Sequence, residues 1–255
     1  MYIKRHLEKE VLESSRSYPV VMVCGARQVG KSTMLSHIKE PDRKYVTFDD
    51  MRVRRLAESD ASLFFETYGT KLLIDEFQRV PSILLEMKRI VDERALKGED
   101  NSGMFWLTCS QKFQMMQNVS ESLAGRVAVF EMSSMSNAEI ESREAYCFSP
   151  KVDALQGISK TTNAKDVQDV YREIFRGGMP MLLTSNIERD RYFADYVNTY
   201  LERDIKNLSQ VGKLSEFYDF LVLLAGRTSQ ELKYDELAKG VGVSIPTIKN
   251  WVSIL

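Results

Sequence analysis

Histidine and cysteine are scarce in this 255-residue chain, and no long apolar run occurs. The two histidines, His6 and His37, stand far apart in sequence, which argues against histidine-based metal or triad chemistry. Three cysteines, Cys24, Cys109 and Cys147, cannot all pair with one another and show no metal spacing. They read as free thiols of a reducing cytoplasm. No stretch approaches the roughly 20 apolar residues that a bilayer span requires, so no membrane partner is expected. The first ten residues carry charge on both sides of Leu7 and have no apolar core, which excludes a signal peptide. Neither sign of charge prevails: 35 basic and 36 acidic residues leave a formal net charge of −1. That balance gives no global attraction to nucleic acid or anionic lipid. No internal repeat is found. What remains, 44% hydrophobic and 28% charged, is the composition of a folded globular protein. The length allows one large α/β domain with one or two small helical modules.

The most informative segment is Gly25-Ala26-Arg27-Gln28-Val29-Gly30-Lys31-Ser32, which fits the phosphate-loop pattern G-x-x-x-x-G-K-[ST] at every fixed position. An apolar, β-branched run, Val20 to Val23, precedes it, and Thr33 to Ile38 continues it as a helix. Glycine at 25 and 30 lets the loop turn its N–H groups toward phosphate oxygens. The helix opening at Lys31 adds its positive dipole end. Lys31 supplies a charge for the outer phosphates, and the Ser32 hydroxyl suits Mg²⁺. Residues 25–33 are therefore the expected nucleotide contacts, with Thr33 the last.

Apolar periodicity predicts a lead-in helix over 4–16 with Leu7, Val11 and Leu12 on one face. It then gives strand 19–24, helix 31–39, strand 44–48, a helix near 51–66, strand 71–75, and helix 82–96 with Ser82 as N-cap. Strand 104–108, helix 111–124 and strand 127–131 complete the set. Such alternation implies a parallel sheet covered by helices on both faces, a three-layer α/β core over residues 1–134. From Met135 the chain reads as helical, with an apolar stripe from Tyr192, Phe193, Tyr196 and Val197 through Tyr200, Leu201 and Ile205 to Leu208.

Lys71 to Glu76 is an apolar strand that ends in two acids, and such strand ends face the ligand crevice. Asp75 is placed to hold Mg²⁺ through water, and Glu76 to act as general base on the attacking water. The gap between the two motif strands leaves room for one additional strand, 44–48, between them, an arrangement of P-loop enzymes that carry a catalytic glutamate. Phe105 to Gln111 is a second apolar strand with a polar end. There Ser110 or Gln111 serves as a sensor of the γ-phosphate or water, or Ser110 as a helix N-cap; both roles are compatible. Arg126, after Ser122-Leu123-Ala124-Gly125, has the position of an arginine that faces a neighbouring subunit in ring-forming ATPases. A surface arginine after a glycine helix stop is the alternative. The first reading implies a homo-oligomer through Arg126.

Near the C-terminus, Leu237 to Gly242 ends one helix in a glycine turn, and Ser244 caps a second with Pro246 in its first turn. Ala238, Gly242, Val243, Ile248 and Trp251 sit where a helix-turn-helix buries residues, while Thr247, Lys249 and Asn250 are expected to face outward. Residues 213–255 carry five basic and five acidic side chains. DNA is thus a partner that the pattern allows and the charge does not favour.

Taken together, the segments beginning at Gly25, Leu73, Leu107, Ser122, Gly177 and Tyr200 resemble a family of bacterial and archaeal AAA-type ATPases. Its members carry a P-loop domain, a helical lid, a winged helix and a restriction-nuclease-like C-terminal domain. The resemblance implies a lid over 135–212, a truncated winged helix over 213–255, and ATP with Mg²⁺ as the cofactors. It also makes Pro180, in Gly177-Gly178-Met179-Pro180, the residue that packs on the adenine base. Two departures are visible: Cys109 stands where the family usually has glycine, and the 255 residues include no nuclease-like domain. The activity implied is ATP hydrolysis, coupling nucleotide state to movement of the lid and winged helix on an unknown target. The alternative is a non-catalytic nucleotide-gated DNA-binding or regulatory protein.

Overall fold

A computed structural model of the chain describes residues 2–110, 119, 122–144, 149–153, 156, 165–200 and 214–255. The chain divides into two compact units, Met1–Asn186 and Ile187–Leu255.

In the first unit, β1 (Val20–Cys24), β2 (Lys44–Thr47), β3 (Leu72–Asp75), β4 (Phe105–Cys109) and β5 (Val127–Glu131) form one sheet in the order β2-β3-β4-β1-β5. Every neighbouring pair is parallel. β1, β3 and β4 are buried along their whole length. This is why they read as unbroken apolar runs rather than alternating ones. The helices are α1 (Leu7–Ser15), α2 (Lys31–Ile38), α3 (Met51–Ser59), α4 (Ala61–Tyr68) and α5 (Ile83–Leu96). One sheet face, with Val20, Met22, Ile74 and Leu107, packs with Ala57, Phe64, Ile83 and Met87 of α3 to α5. The opposite face, with Val21, Val23, Leu73 and Trp106, packs with Val11, Met34 and Leu35 of α1 and α2. The result is the expected three-layer α/β fold. In space, however, β2 lies at the sheet edge, and β4 is the strand inserted between β1 and β3.

Local chemistry shifts several expected boundaries. The helix near 51–66 is two helices, because Asp60 leaves the helical region (φ −152°, ψ 91°) and its side chain accepts from the Leu63 N–H at 2.9 Å. That cap starts α4 and ends α3. Ser82 does not cap α5: its own backbone is helical (φ −59°, ψ −22°) and its side chain makes no cap hydrogen bond. The helix instead grows out of the Val80–Pro81 turn, whose carbonyls accept from Ile83 and Leu84. Leu12 is exposed while Val11 is fully buried, since a nine-residue helix turns only one stripe inward. β4 runs one residue later than expected and so includes Cys109. The helix expected over 111–124 lies almost wholly outside the described residues, as do Gln111 and Cys147.

After β5 come α6 (Asn137–Ile140), α7 (Val167–Arg176) and α8 (Pro180–Thr184). Ser136 and Glu139 form a reciprocal capping box on α6.

The second unit contains α9 (Arg189–Tyr200), α10 (Leu214–Ala225), α11 (Tyr234–Val241) and α12 (Ile245–Ile254). On α9, Tyr192 is buried and Phe193, Tyr196 and Val197 are half-buried; Leu201, Ile205 and Leu208 lie outside the described residues. Phe217, Phe220, Leu237, Ala238, Ile248 and Trp251 make a closed core, with the Trp251 ring 5.1 Å from Phe217 and 5.5 Å from Phe220. Gly242 ends α11 in the left-handed region (φ 80°), and Ser244 caps α12 by accepting from the Thr247 N–H. Lys249 faces solvent, whereas Thr247 and Asn250 are half-buried rather than turned fully outward. No described helix is long and apolar enough to cross a membrane.

Candidate nucleotide site

In a parallel sheet all strands end at one edge, and this brings the separated motifs together. Gly25 follows β1, Glu76 follows β3 and Ser110 follows β4. Gly25 has φ 150°, and a Cβ there would meet the Met132 carbonyl oxygen at 2.1 Å. No side chain fits at that position. Gln28 and Gly30 also take left-handed backbone (φ 61° and 96°), which turns the chain back into α2. Ala26, Gln28 and Thr33 face solvent, whereas the Val29 side chain is part of the core, leaving only its backbone to the loop.

Lys31 is almost fully buried and folds over its own loop, its ammonium donating to the carbonyls of Gly25 (2.9 Å) and Ala26 (2.7 Å). Burial pushes the amine below its ordinary value, while Glu76, the Cys109 sulfur and Asp75 act in the opposite sense.

Asp75 is the hub of the site. Its Oδ1 accepts from the Ser32 hydroxyl and from the Thr108 hydroxyl at 2.6 Å, and its Oδ2 accepts from Tyr45 at 3.1 Å. Burial and the Asp75 charge push the Tyr45 phenol up to about 12, so it remains a donor. Thr108 accepts from the Glu76 N–H at 3.0 Å with the same oxygen that donates to Asp75. Glu76 is a non-glycine residue in left-handed backbone (φ 56°). Its carboxylate accepts from the Ser110 hydroxyl at 2.9 Å and from the Gln78 amide at 2.5 Å. Left-handed backbone at such a residue costs on the order of 1–3 kcal/mol and is kept where the surroundings over-determine it.

Ser32, Lys31, Asp75, Glu76 and Ser110 thus converge. Pro180 joins them, its Cγ lying 3.8 Å from the point a Cβ on Gly30 would occupy. Arg126 does not. It precedes β5, and its carbonyl accepts from the Val20 N–H at the opposite edge of the sheet, with its guanidinium on Asp92 (2.6 Å) and the Ala124 carbonyl (3.0 Å). A five-residue strand separates the two edges by about 16 Å, beyond the reach of an arginine. Arg126 therefore cannot serve the site of its own chain.

Sequence reasoning missed Thr108, Tyr45 and Gln78. Thr108 and Gln78 each stand two residues from one with an expected role, Thr108 before Ser110 and Gln78 after Glu76. Tyr45 gave no signal, because its link to Asp75 exists only through β2–β3 pairing.

Residues 17–141 match a family model described as an AAA domain, and residues 167–255 match a domain of unknown function, DUF8612. Uncharacterized proteins of Mycobacterium bovis and Mycobacterium tuberculosis are each 27% identical over 242 residues, covering 93% of this chain and 47% of their own. The chain spans about half the length of these curated relatives. Among solved structures, a Walker-type ATPase of Pyrococcus abyssi is similar at TM-score 0.49 and 15% identity, covering 99% of this chain and 96% of its own. AMPPCP-bound DnaA from Aquifex aeolicus is similar at TM-score 0.43 and 13% identity, covering 97% and 86%. With the parallel sheet and the loop geometry in place, residues 17–141 match the AAA domain family and have the build of a P-loop nucleotide site.

Proposed function

We propose that this chain binds ATP with Mg²⁺ and hydrolyses it to ADP and phosphate, coupling nucleotide state to its helical lid and C-terminal helices. The preference for adenine rests on the family resemblance. The observation that carries the hydrolytic reading is Glu76. A chain that only bound nucleotide has no need of a strained residue whose carboxylate is aimed by Ser110 and Gln78 beside the Asp75–Ser32 pair.

The residues present fit Mg²⁺. The Ser32 hydroxyl and the Asp75 carboxylate are hard oxygen donors already in contact, and Thr108 and Tyr45 hold Asp75 in orientation. Among the described residues no three His, Cys, Asp or Glu side chains converge as an all-protein metal cage. An ion here would take its remaining ligands from phosphate oxygens and water. When bound, it neutralises charge on the β- and γ-phosphates.

Lys31 leaves the Gly25 and Ala26 carbonyls to meet the phosphates, which replace those weak acceptors with full charges. The Glu76 carboxylate takes a proton from a water molecule as that water's oxygen bonds to the γ-phosphorus. The bridging P–O bond breaks, and its electron pair leaves with ADP. Ser110 keeps Glu76 in orientation. Arg126, out of reach of its own chain's nucleotide, acts on a neighbouring copy's within a homo-oligomer, a role that rests on its position in the sequence and requires it to leave Asp92.

Separate binding and turnover measurements test the reading. Lys31→Ala should abolish ATP binding. Glu76→Gln should retain bound ATP while slowing phosphate release by about a hundredfold or more, as loss of a general base does. Undiminished turnover in Glu76→Gln would refute the assignment of the base.

A further inference from the structure

Arg5 belongs to none of the motifs, yet only 5% of its surface is exposed and its guanidinium meets three separate stretches of the first unit. One terminal nitrogen donates to the Val29 carbonyl of the phosphate loop at 2.8 Å. The other donates to the Ser133 carbonyl at 2.8 Å and the Ser134 carbonyl at 3.4 Å, just beyond β5. Nε pairs with Glu139 at 3.0 Å. Glu139 is itself buried and also accepts from the His6 N–H and the Ser136 N–H, each at 2.9 Å. Burial raises its carboxyl, but those N–H groups and the guanidinium prevail and hold it below the usual carboxylate range. The same segment reaches the Pro180 turn: the Met135 N–H donates to the Gly178 carbonyl at 2.8 Å. The approach is so close that a Cβ on Gly178 would stand 2.3 Å from the Met135 carbonyl oxygen. Pro180 returns to the phosphate loop at Gly30, closing the circuit.

We propose that Arg5 is a positioning residue for nucleotide, fixing the Val29 carbonyl of the phosphate loop and tying that loop through Ser133–Glu139 to the turn that carries Pro180. The peptide unit is planar and trans, so a Val29 carbonyl held toward Arg5 points the Gly30 N–H the opposite way, into the loop. Holding that one oxygen therefore sets the direction of a phosphate-binding donor. The five N–H groups of the planar fork reach these four acceptors in three directions at once; a lysine ammonium, with three donors on one nitrogen, does not reproduce that spread. A buried ion pair contributes little net stability over apolar residues of the same shape, so the role here is geometric. The proposal rests on nucleotide binding by this loop and not on hydrolysis.

The test is calorimetric titration of the 255-residue chain with ADP and with ATP, alongside thermal unfolding and steady-state turnover. Arg5→Lys is expected to weaken ADP and ATP alike by about tenfold, the scale of one lost charged hydrogen bond. KM should rise and kcat stay close to wild type. Glu139→Gln, whose single amide oxygen can accept from Ser136 or from His6 but not from both, should act in the same direction. The double variant should lose less than the product of the two, because both break one circuit. A purely structural Arg5 would lower the thermal midpoint yet leave the dissociation constants of the folded variants at wild-type values. That result, or strictly multiplicative losses, would overturn the proposal. A wild-type chain that binds neither nucleotide would refute the nucleotide reading itself, and this role with it.

Discussion

Thr108→Val should damage stability and turnover together, through one oxygen atom. Thr108 is fully buried in β4, and its hydroxyl donates to Asp75 at 2.6 Å while accepting from the Glu76 N–H at 3.0 Å. Valine fills nearly the same volume, so no cavity opens and the cost is that of the hydroxyl alone. The bond to a carboxylate is of the class that contributes about 1.5–3 kcal/mol, and a buried N–H left without an acceptor costs about 1–3 kcal/mol. Asp75 keeps Ser32 and Tyr45 as donors, which places the total near the low end of the sum, about 3 kcal/mol. In a domain of this size that lowers the melting temperature by roughly 6–12 °C. Because the same substitution loosens both acids, phosphate release should fall by about 10- to 100-fold. Thr108→Ser keeps the hydroxyl and loses one methyl, so it should cost about 1 kcal/mol and retain most turnover. Urea denaturation followed by far-ultraviolet circular dichroism measures the first effect, and phosphate release the second. A valine variant within about 0.5 kcal/mol of wild type would refute the claim that this hydroxyl joins the two acids.

Arg126→Ala should bind ATP normally but hydrolyse it as much as ~10³-fold more slowly, and mixing it with Lys31→Ala chains should recover activity, since each supplies what the other lacks at a shared interface. Turnover that is independent of concentration and unrescued by mixing would assign Arg126 to its intrachain pair with Asp92 instead. Lys31 is held below its ordinary 10.5, so folding disfavours its charged form, and the stability difference between wild type and Lys31→Met should shift toward wild type as pH rises through the lowered value toward 10.5. ATP affinity, which needs the ammonium, should fall across that same alkaline window; a flat affinity up to pH 10.5 would contradict the burial argument. Residues 213–255 carry no net charge, and Ile248 and Trp251 are spent on their own core. Fluorescence anisotropy with duplex DNA at about 0.1 M salt should therefore show weak binding or none, short of the micromolar end of the roughly 10⁻⁴–10⁻⁶ M range of non-specific binders. Salt-sensitive micromolar binding lost in Lys249→Glu would overturn that expectation.

The residues legible in the sequence were those whose chemistry is local. Glycine at 25 and 30, Lys31 and Ser32 declare an anion loop because backbone freedom, charge and hydroxyl must fall within eight consecutive residues. The apolar runs that became β1, β3 and β4 declare a parallel sheet, because strands covered on both faces leave no polar alternation. Boundaries failed where a single side chain competed with the helix, as Asp60 did between α3 and α4. The strand order was not legible. Nothing in residues 105–109 announces that this strand inserts between β1 and β3, yet that insertion carries Thr108 to Asp75, 33 positions away. The grip of Arg5 on Glu139, 134 positions away, and that of Tyr45 on Asp75 are likewise products of packing. A short motif records the groups that must touch phosphate. The side chains that aim those groups are recruited from wherever the sheet brings the chain past, and only the tertiary structure decides which they are.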